Sequence, residues 1–142
     1  MAWRLWDHTA DVGIEAEGDD AGECLAQAAH ALTALVAGHG KALPMRPGKA
    51  VDFTVEAPDH EALAVAFLSE LLYLMETEDR YWTSGGVDVT SGEHGLLATA
   101  SANLAGFDAA HGRGVEIKAV TYHGIRFGRQ GNQWHLKVIL DI

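Results

Sequence analysis

The hydrophobic patterning predicts an α+β fold, with two main helices packed on a largely antiparallel β-sheet. Two stretches carry apolar residues at helical spacing. Most of the remaining chain alternates with a period of two and is broken by Gly, Asn and Ser. The helical stretches do not interleave with the strands in the regular βα repeat that a parallel sheet requires. A chain of 142 residues suits one domain spanning 1–142 with a sizeable core, and no linker or repeat divides it.

Trp3–Asp7 is aromatic-rich and alternating, and reads as a strand. Val12–Gly18 places Val12, Ile14 and Ala16 on one face and Gly13, Glu15 and Glu17 on the other, the pattern of a half-buried strand. Asp20 offers an N-cap, with Glu23 three residues on as its capping-box partner. The Ala-rich segment that follows puts Leu25, Ala28, Ala29, Leu32, Leu35 and Val36 on one stripe, predicting a helix to about Ala37, stopped by Gly38. Gly38–Gly48 reads as a loop and Ala50–Ala57 as a strand. Pro58-Asp59 opens a second helix, with Pro58 in its first turn, running to about Glu78 over Leu63, Phe67, Leu71 and Leu74. Gly86–Thr90, Gly95–Ala102, Val115–His123, Ile125–Gly128 and Gln133–Ile142 read as strands.

A formal charge of −10 argues against a protein that grips nucleic acid on its own, because phosphate binding draws on clustered Lys and Arg. It suits a protein that binds cations or docks on a basic partner. No apolar run approaches the roughly 20 residues of a membrane helix, and Met1–Trp6 carries no signal-peptide pattern. Cys24 is the sole cysteine, so an intramolecular disulfide is excluded and a cytoplasmic setting is expected. Cys24 reads as a small packed apolar residue. No nucleophile elbow, Gly-rich phosphate loop or paired-cysteine zinc site is present in the sequence.

Asp7-His8-Thr9-Ala10-Asp11 lies near one end of the sequence and Asp141-Ile142 at the other. If Asp11 lies near Asp141 and a terminal carboxylate on Ile142, three hard oxygen donors converge, and such a cluster repels itself unless protonated or neutralised by a cation. Carboxylates alone favour Ca²⁺ or Mg²⁺; adding His8 opens the site to Mn²⁺ or Zn²⁺. The plainer reading of Asp7–Asp11 is a strand end whose carboxylates cap backbone N–H groups. Glu70 sits in the apolar stretch Ala66–Leu74 and reads as the polar face of a helix. In Ile117–His123 the alternation puts Lys118, Val120 and Tyr122 on one strand face and Ile117, Ala119, Thr121 and His123 on the other. Lys118 reads as a solvated strand lysine, or as one that balances the acidic site or meets a partner. His8 and His123 are the histidines of interest; His30, His39, His60, His94 and His135 read as surface residues.

Four segments together resemble the archease family: Asp7-His-Thr-Ala-Asp11-Val-Gly13, Phe67-Leu-Ser-Glu-Leu-Leu-Tyr-Leu74, Ile117-Lys-Ala-Val-Thr-Tyr-His123, and Trp134 with Val138-Ile-Leu-Asp141-Ile142. They occur in the family's order and span essentially the whole chain. Where the family often carries a Gly-Glu pair, this chain reads Leu104-Ala105-Gly106. The resemblance implies an activator rather than an enzyme: a protein that promotes guanylylation and multiple turnover of the RNA-splicing ligase. It implies metal ligation by Asp11, Asp141 and Ile142; by residue type Asp7 and His8 are further candidates, and calcium is expected ahead of magnesium or manganese. It implies a role for Lys118 in activation, with Glu70 and His123 at matching motif positions. The competing expectations are an independent metal-dependent hydrolase using Asp7, His8, Asp11 and Asp141, and a chaperone-like binding module.

Overall fold

The computed structural model describes residues 2–7, 11–37, 48–106 and 114–142, with Trp6 and Asp7 described through their backbone alone. Among the described residues, seven strands and two helices follow in the order β1 (Trp3–Asp7), β2 (Asp11–Gly18), α1 (Ala21–Ala37), β3 (Lys49–Ala57), α2 (His60–Glu78), β4 (Tyr81–Gly92), β5 (Gly95–Ala105), β6 (Ala119–Gln130) and β7 (Gln133–Asp141). The predicted class holds, and the strands divide between two antiparallel sheets, ordered β1-β2-β7-β6 and β3-β5-β4.

Each helix packs against both sheets: α1 on β2 and β4, α2 on β6 and β3. This explains why α1 is buried well beyond a single stripe, with Ala21, Ala26, Ala28, Ala29, Ala31 and Ala37 all in the core. Small side chains let the two sheets approach it closely. Gly22 marks the tightest approach: a Cβ there would overlap the Val87 carbonyl of β4. The core is one cluster through both sheets and helices, with Ile14, Leu25, Leu32, Phe67, Leu71, Trp82, Leu104 and Leu140 among its fully buried side chains.

Both helices are capped by aspartate. Asp20 Oδ1 accepts the Glu23 N–H at 2.8 Å, while Glu23 Oε2 accepts the Asp19 N–H at 2.8 Å, so the predicted capping box closes one residue before the cap. In α2, Asp59 Oδ1 accepts the Ala62 N–H at 2.8 Å. Asp59 is therefore the cap, and Pro58 precedes the helix rather than sitting in its first turn.

Two strand predictions change. Val115–Lys118 lies outside the sheet, because Gly114 and Val115 donate their N–H groups to the Val36 and Leu35 carbonyls at 3.1 and 2.9 Å. The segment thereby satisfies carbonyls that the end of α1 leaves open. From Ala119 the chain runs as one strand through both predicted segments, with a register shift between Thr121 and Arg126 that accommodates Gly124 at φ +65°. The alternation read over Ile117–His123 fails for the same reason: Ile117 is buried, but Ala119 and His123 are exposed. Gly38, His39 and most of the predicted Gly38–Gly48 loop lie outside the described residues. Among the described residues no helix is long and apolar enough to cross a membrane.

Candidate functional site

Strand β7 lies between β2 and β6, and its register sets the site. Val12, Ile14 and Ala16 of β2 and Leu136, Val138 and Leu140 of β7 are buried on the inner face. The intervening residues point outward. In this register Asp11 stands directly opposite Asp141, and Ala119 of β6 flanks Asp141 on its other side. Residues far apart in sequence are thus adjacent on one face. Lys118 donates its backbone N–H to the Asp141 carbonyl at 2.8 Å, which fixes this exposed lysine beside the aspartate. Ile142 follows directly, its side chain packed against the core.

Two like charges directly opposite on neighbouring strands destabilise a sheet. Asp11 carries a second cost. Its Oδ1 is shielded from solvent and has no hydrogen-bond partner among the described residues. A buried acceptor of this kind normally has a donor or an ion on it. The donor set is hard and anionic and therefore fits a divalent cation. Among the described residues, no three His, Cys, Asp or Glu side chains gather as a metal group. A cation held by Asp11 and Asp141 would need further donors besides these two side chains.

The other predicted positions are distributed around this pair. Asp7 pairs through its backbone with Val12, one residue along β2 from Asp11. His8 lies outside the described residues. His123 is exposed in the irregular part of β6, where its N–H donates to Thr121 Oγ1 at 3.3 Å while that hydroxyl donates to the Ile139 carbonyl at 2.9 Å. Glu70 is half-buried on α2, whose packing is chiefly on β6 and β3. Three histidines read as surface residues are partly enclosed. His60 lies 4.8 Å from the Trp134 ring and edge-on to Phe127, His30 meets Trp82 edge-on, and His135 stands 3.6 Å from Glu17. Burial lowers the His30 pKa, and burial chiefly pushes the Cys24 thiol up to about 12, with Glu17, Asp20 and Glu23 adding to it. Cys24 is a packed core residue, as predicted, with Sγ 3.4 Å from the Ala16 carbonyl.

The sequence reading missed a second charged feature of the same sheet, a groove bordered by Arg4, Arg126, Arg129 and Lys137. No local motif marks it. The available signal is that Lys137 falls on the outward face of β7, opposite Arg126 of β6.

Comparison with known proteins agrees with the fold. Residues 3–142 match the model of the Archease protein family (MTH1598/TM1083). The chain is 32% identical over 143 residues to Protein archease of Methanosarcina acetivorans, covering 99% of this chain and 95% of that protein. It is 30% identical over 142 residues to Protein archease of Pyrococcus furiosus, covering 99% and 98%. The solution structure of Methanobacterium thermoautotrophicum protein 1598 superposes with a TM-score of 0.79 at 28% identity, covering 99% of this chain and 98% of that one. The crystal structure of a Thermotoga maritima archease, described as a possible chaperone, shares the fold with a TM-score of 0.59 at 23% identity, covering 96% and 94%. The whole-chain family match and the relatives of equal length place this chain in the archease family.

Proposed function

We propose that this protein is a metal-binding accessory factor that activates an RNA-splicing ligase, promoting guanylylation of the ligase histidine and multiple turnover, and has no ligase activity itself. The observation that carries the metal part of this reading is the shielded Asp11 Oδ1, without a hydrogen-bond partner among the described residues, on a residue directly across the sheet from Asp141. The ligase part rests on the resemblance in the four sequence segments. Asp11, Asp141 and Ile142 would hold the ion, with Asp7 and His8 as further donors. When bound, a divalent cation there supplies positive charge of the kind that assists phosphoryl transfer. Lys118 is held next to the site by its own backbone bond, so its ammonium is available to a partner. Exposed large apolar side chains among the described residues are Leu5, Tyr73, Val115 and Tyr122, separated in sequence and on different segments. That distribution favours a specific activator over a general binder of unfolded chains.

The test is single-turnover guanylylation of the ligase, followed by multiple-turnover joining, with and without this protein at saturating divalent metal. Wild-type protein raises both rates. Asp11→Ala and Asp141→Ala activate poorly and lose metal-dependent thermal stabilisation. Lys118→Ala activates poorly while retaining it. An active ligase whose two rates are unchanged by the wild-type protein rules the proposal out.

A further inference from the structure

The outward face of the β1-β2-β7-β6 sheet carries a charge pattern at the end away from Asp11 and Asp141. Across four strands the register runs Arg4, Glu15, Lys137, Arg126. Arg4 Nε is 2.6 Å from Glu15 Oε2, so the row's single carboxylate is already engaged. Arg129 lies farther along β6, its Nε–H donating to the Gly131 carbonyl at 3.1 Å. Together these side chains border a groove of about 500 Å³. Four of the chain's ten Lys and Arg residues therefore meet at one groove in a molecule of formal charge −10. Glu15, Glu17 and Glu61 are the carboxylates along it, leaving a small local excess of positive charge.

We infer that this groove docks a carboxylate-bearing face of a protein partner. Three physical arguments select that occupant. A nucleic-acid strand would bring its closely spaced phosphates against three glutamates and a strongly anionic body, whereas its binding draws on clustered Lys and Arg. A small anion would be poorly enclosed, because Arg4 keeps 72% of its side chain exposed on an open sheet face. A protein face with its own acidic and basic side chains matches interleaved charges of both signs, and arginine forks pair with carboxylates in bidentate fashion. Arg126 is the exposed cation of the row on β6, the edge strand of the sheet. Four residues along β7 separate Lys137 from Asp141, so the groove and the aspartate pair lie about 13 Å apart on the same face. A partner seated in the groove is therefore held over the candidate cation site. The ligase reading above supplies only the partner's identity; the docking chemistry stands on the charge pattern.

The experiment titrates ligase with wild type, Arg126→Glu, the double variant Arg126→Glu/Arg129→Glu and the charge-preserving Arg126→Lys. Binding is read by interferometry at low and high salt, and guanylylation is read as both half-saturating concentration and maximal rate. Circular dichroism melts confirm folding. The expected result is at least about tenfold weaker binding for the double variant, a smaller loss for Arg126→Glu, near-normal binding for Arg126→Lys, and an unchanged maximal rate. If wild type binds and activates but the double variant binds within twofold of it, the groove is not the docking site and the activator proposal stands. If wild type binds in this charge-dependent way without activating, the activator proposal falls and the groove stands. Absence of any wild-type binding removes both. Tight binding of the ligase's RNA substrate to this protein alone, lost in the double variant, would make the groove a nucleic-acid site and overturn the inference.

Discussion

Replacing Asp11 with asparagine should stabilise this protein without metal and weaken it with metal. Directly opposed residues on antiparallel strands place their Cβ atoms about 5 Å apart. Two unit charges at that distance repel by roughly 1–3 kcal/mol for effective dielectrics between 80 and 20. Asp141 is exposed and Asp11 half-buried, so water screens the pair and the low end applies. Removing the charge on Asp11 keeps the side chain's shape and relieves about 0.5–1 kcal/mol, within the range for cross-strand pairs. Unfolding entropy scales with length, and for a chain of 142 residues 1 kcal/mol corresponds to about 3 °C. In chelator, Asp11→Asn should therefore melt about 2–3 °C above wild type. At a free cation concentration one hundred times its Kd, wild type gains about 2.7 kcal/mol, or roughly 9 °C, and the variant gains much less. The order of the two melting temperatures inverts between chelator and calcium. Differential scanning calorimetry in matched buffers reads both halves. A variant that melts below wild type in chelator, or one that gains as much from calcium, refutes the reasoning.

Three further outcomes test the packing. Gly22→Ala, although alanine is the better helix former, should cost about 1–3 kcal/mol in urea unfolding because its methyl would overlap the Val87 carbonyl. Cys24 should resist iodoacetamide at pH 8 in the native state and react on unfolding, since burial holds its thiol at about 12; equal labelling rates in both states would contradict this. The lowered pKa of His30 means that the unfolded chain binds the proton more readily. Stability should fall as pH drops through the ordinary histidine value of 6.5, and His30→Gln should flatten that slope in urea midpoints measured between pH 7 and 5.

The parts of the fold legible in sequence are those whose determinants are local. The period-two alternation of β2 and β7 follows from one buried face, and the start of α1 follows from the Asp20 carboxylate accepting the Glu23 N–H while the Glu23 carboxylate accepts the Asp19 N–H. The missed features depend on pairing. β4 begins at Tyr81 and continues through Gly85 and Gly86, because the ladder with β5 overrides the poor strand propensity of glycine. The joining of two predicted strands into β6 depends on a register shift, which side-chain pattern cannot encode. Asp11 and Asp141 were recognisable as candidate ligands by residue type, but their direct opposition is a property of β2–β7 register. The groove of Arg4, Lys137, Arg126 and Arg129 was invisible for the same reason, its members coming from three different strands.

The central position of β7 has a kinetic consequence. β1–β2, β4–β5 and β6–β7 each join segments adjacent in sequence, whereas β2–β7 brings together residues as distant as Asp11 and Asp141. Closing so long a loop is entropically costly, so the hairpins should form first and β2–β7 should zip late. We expect the aspartate pair to come into being only after the folding barrier has been crossed. A cation that recognises it has nothing to grip in the transition state. Calcium should therefore act as a latch, slowing unfolding in stopped-flow chevrons while leaving the refolding limb where it was.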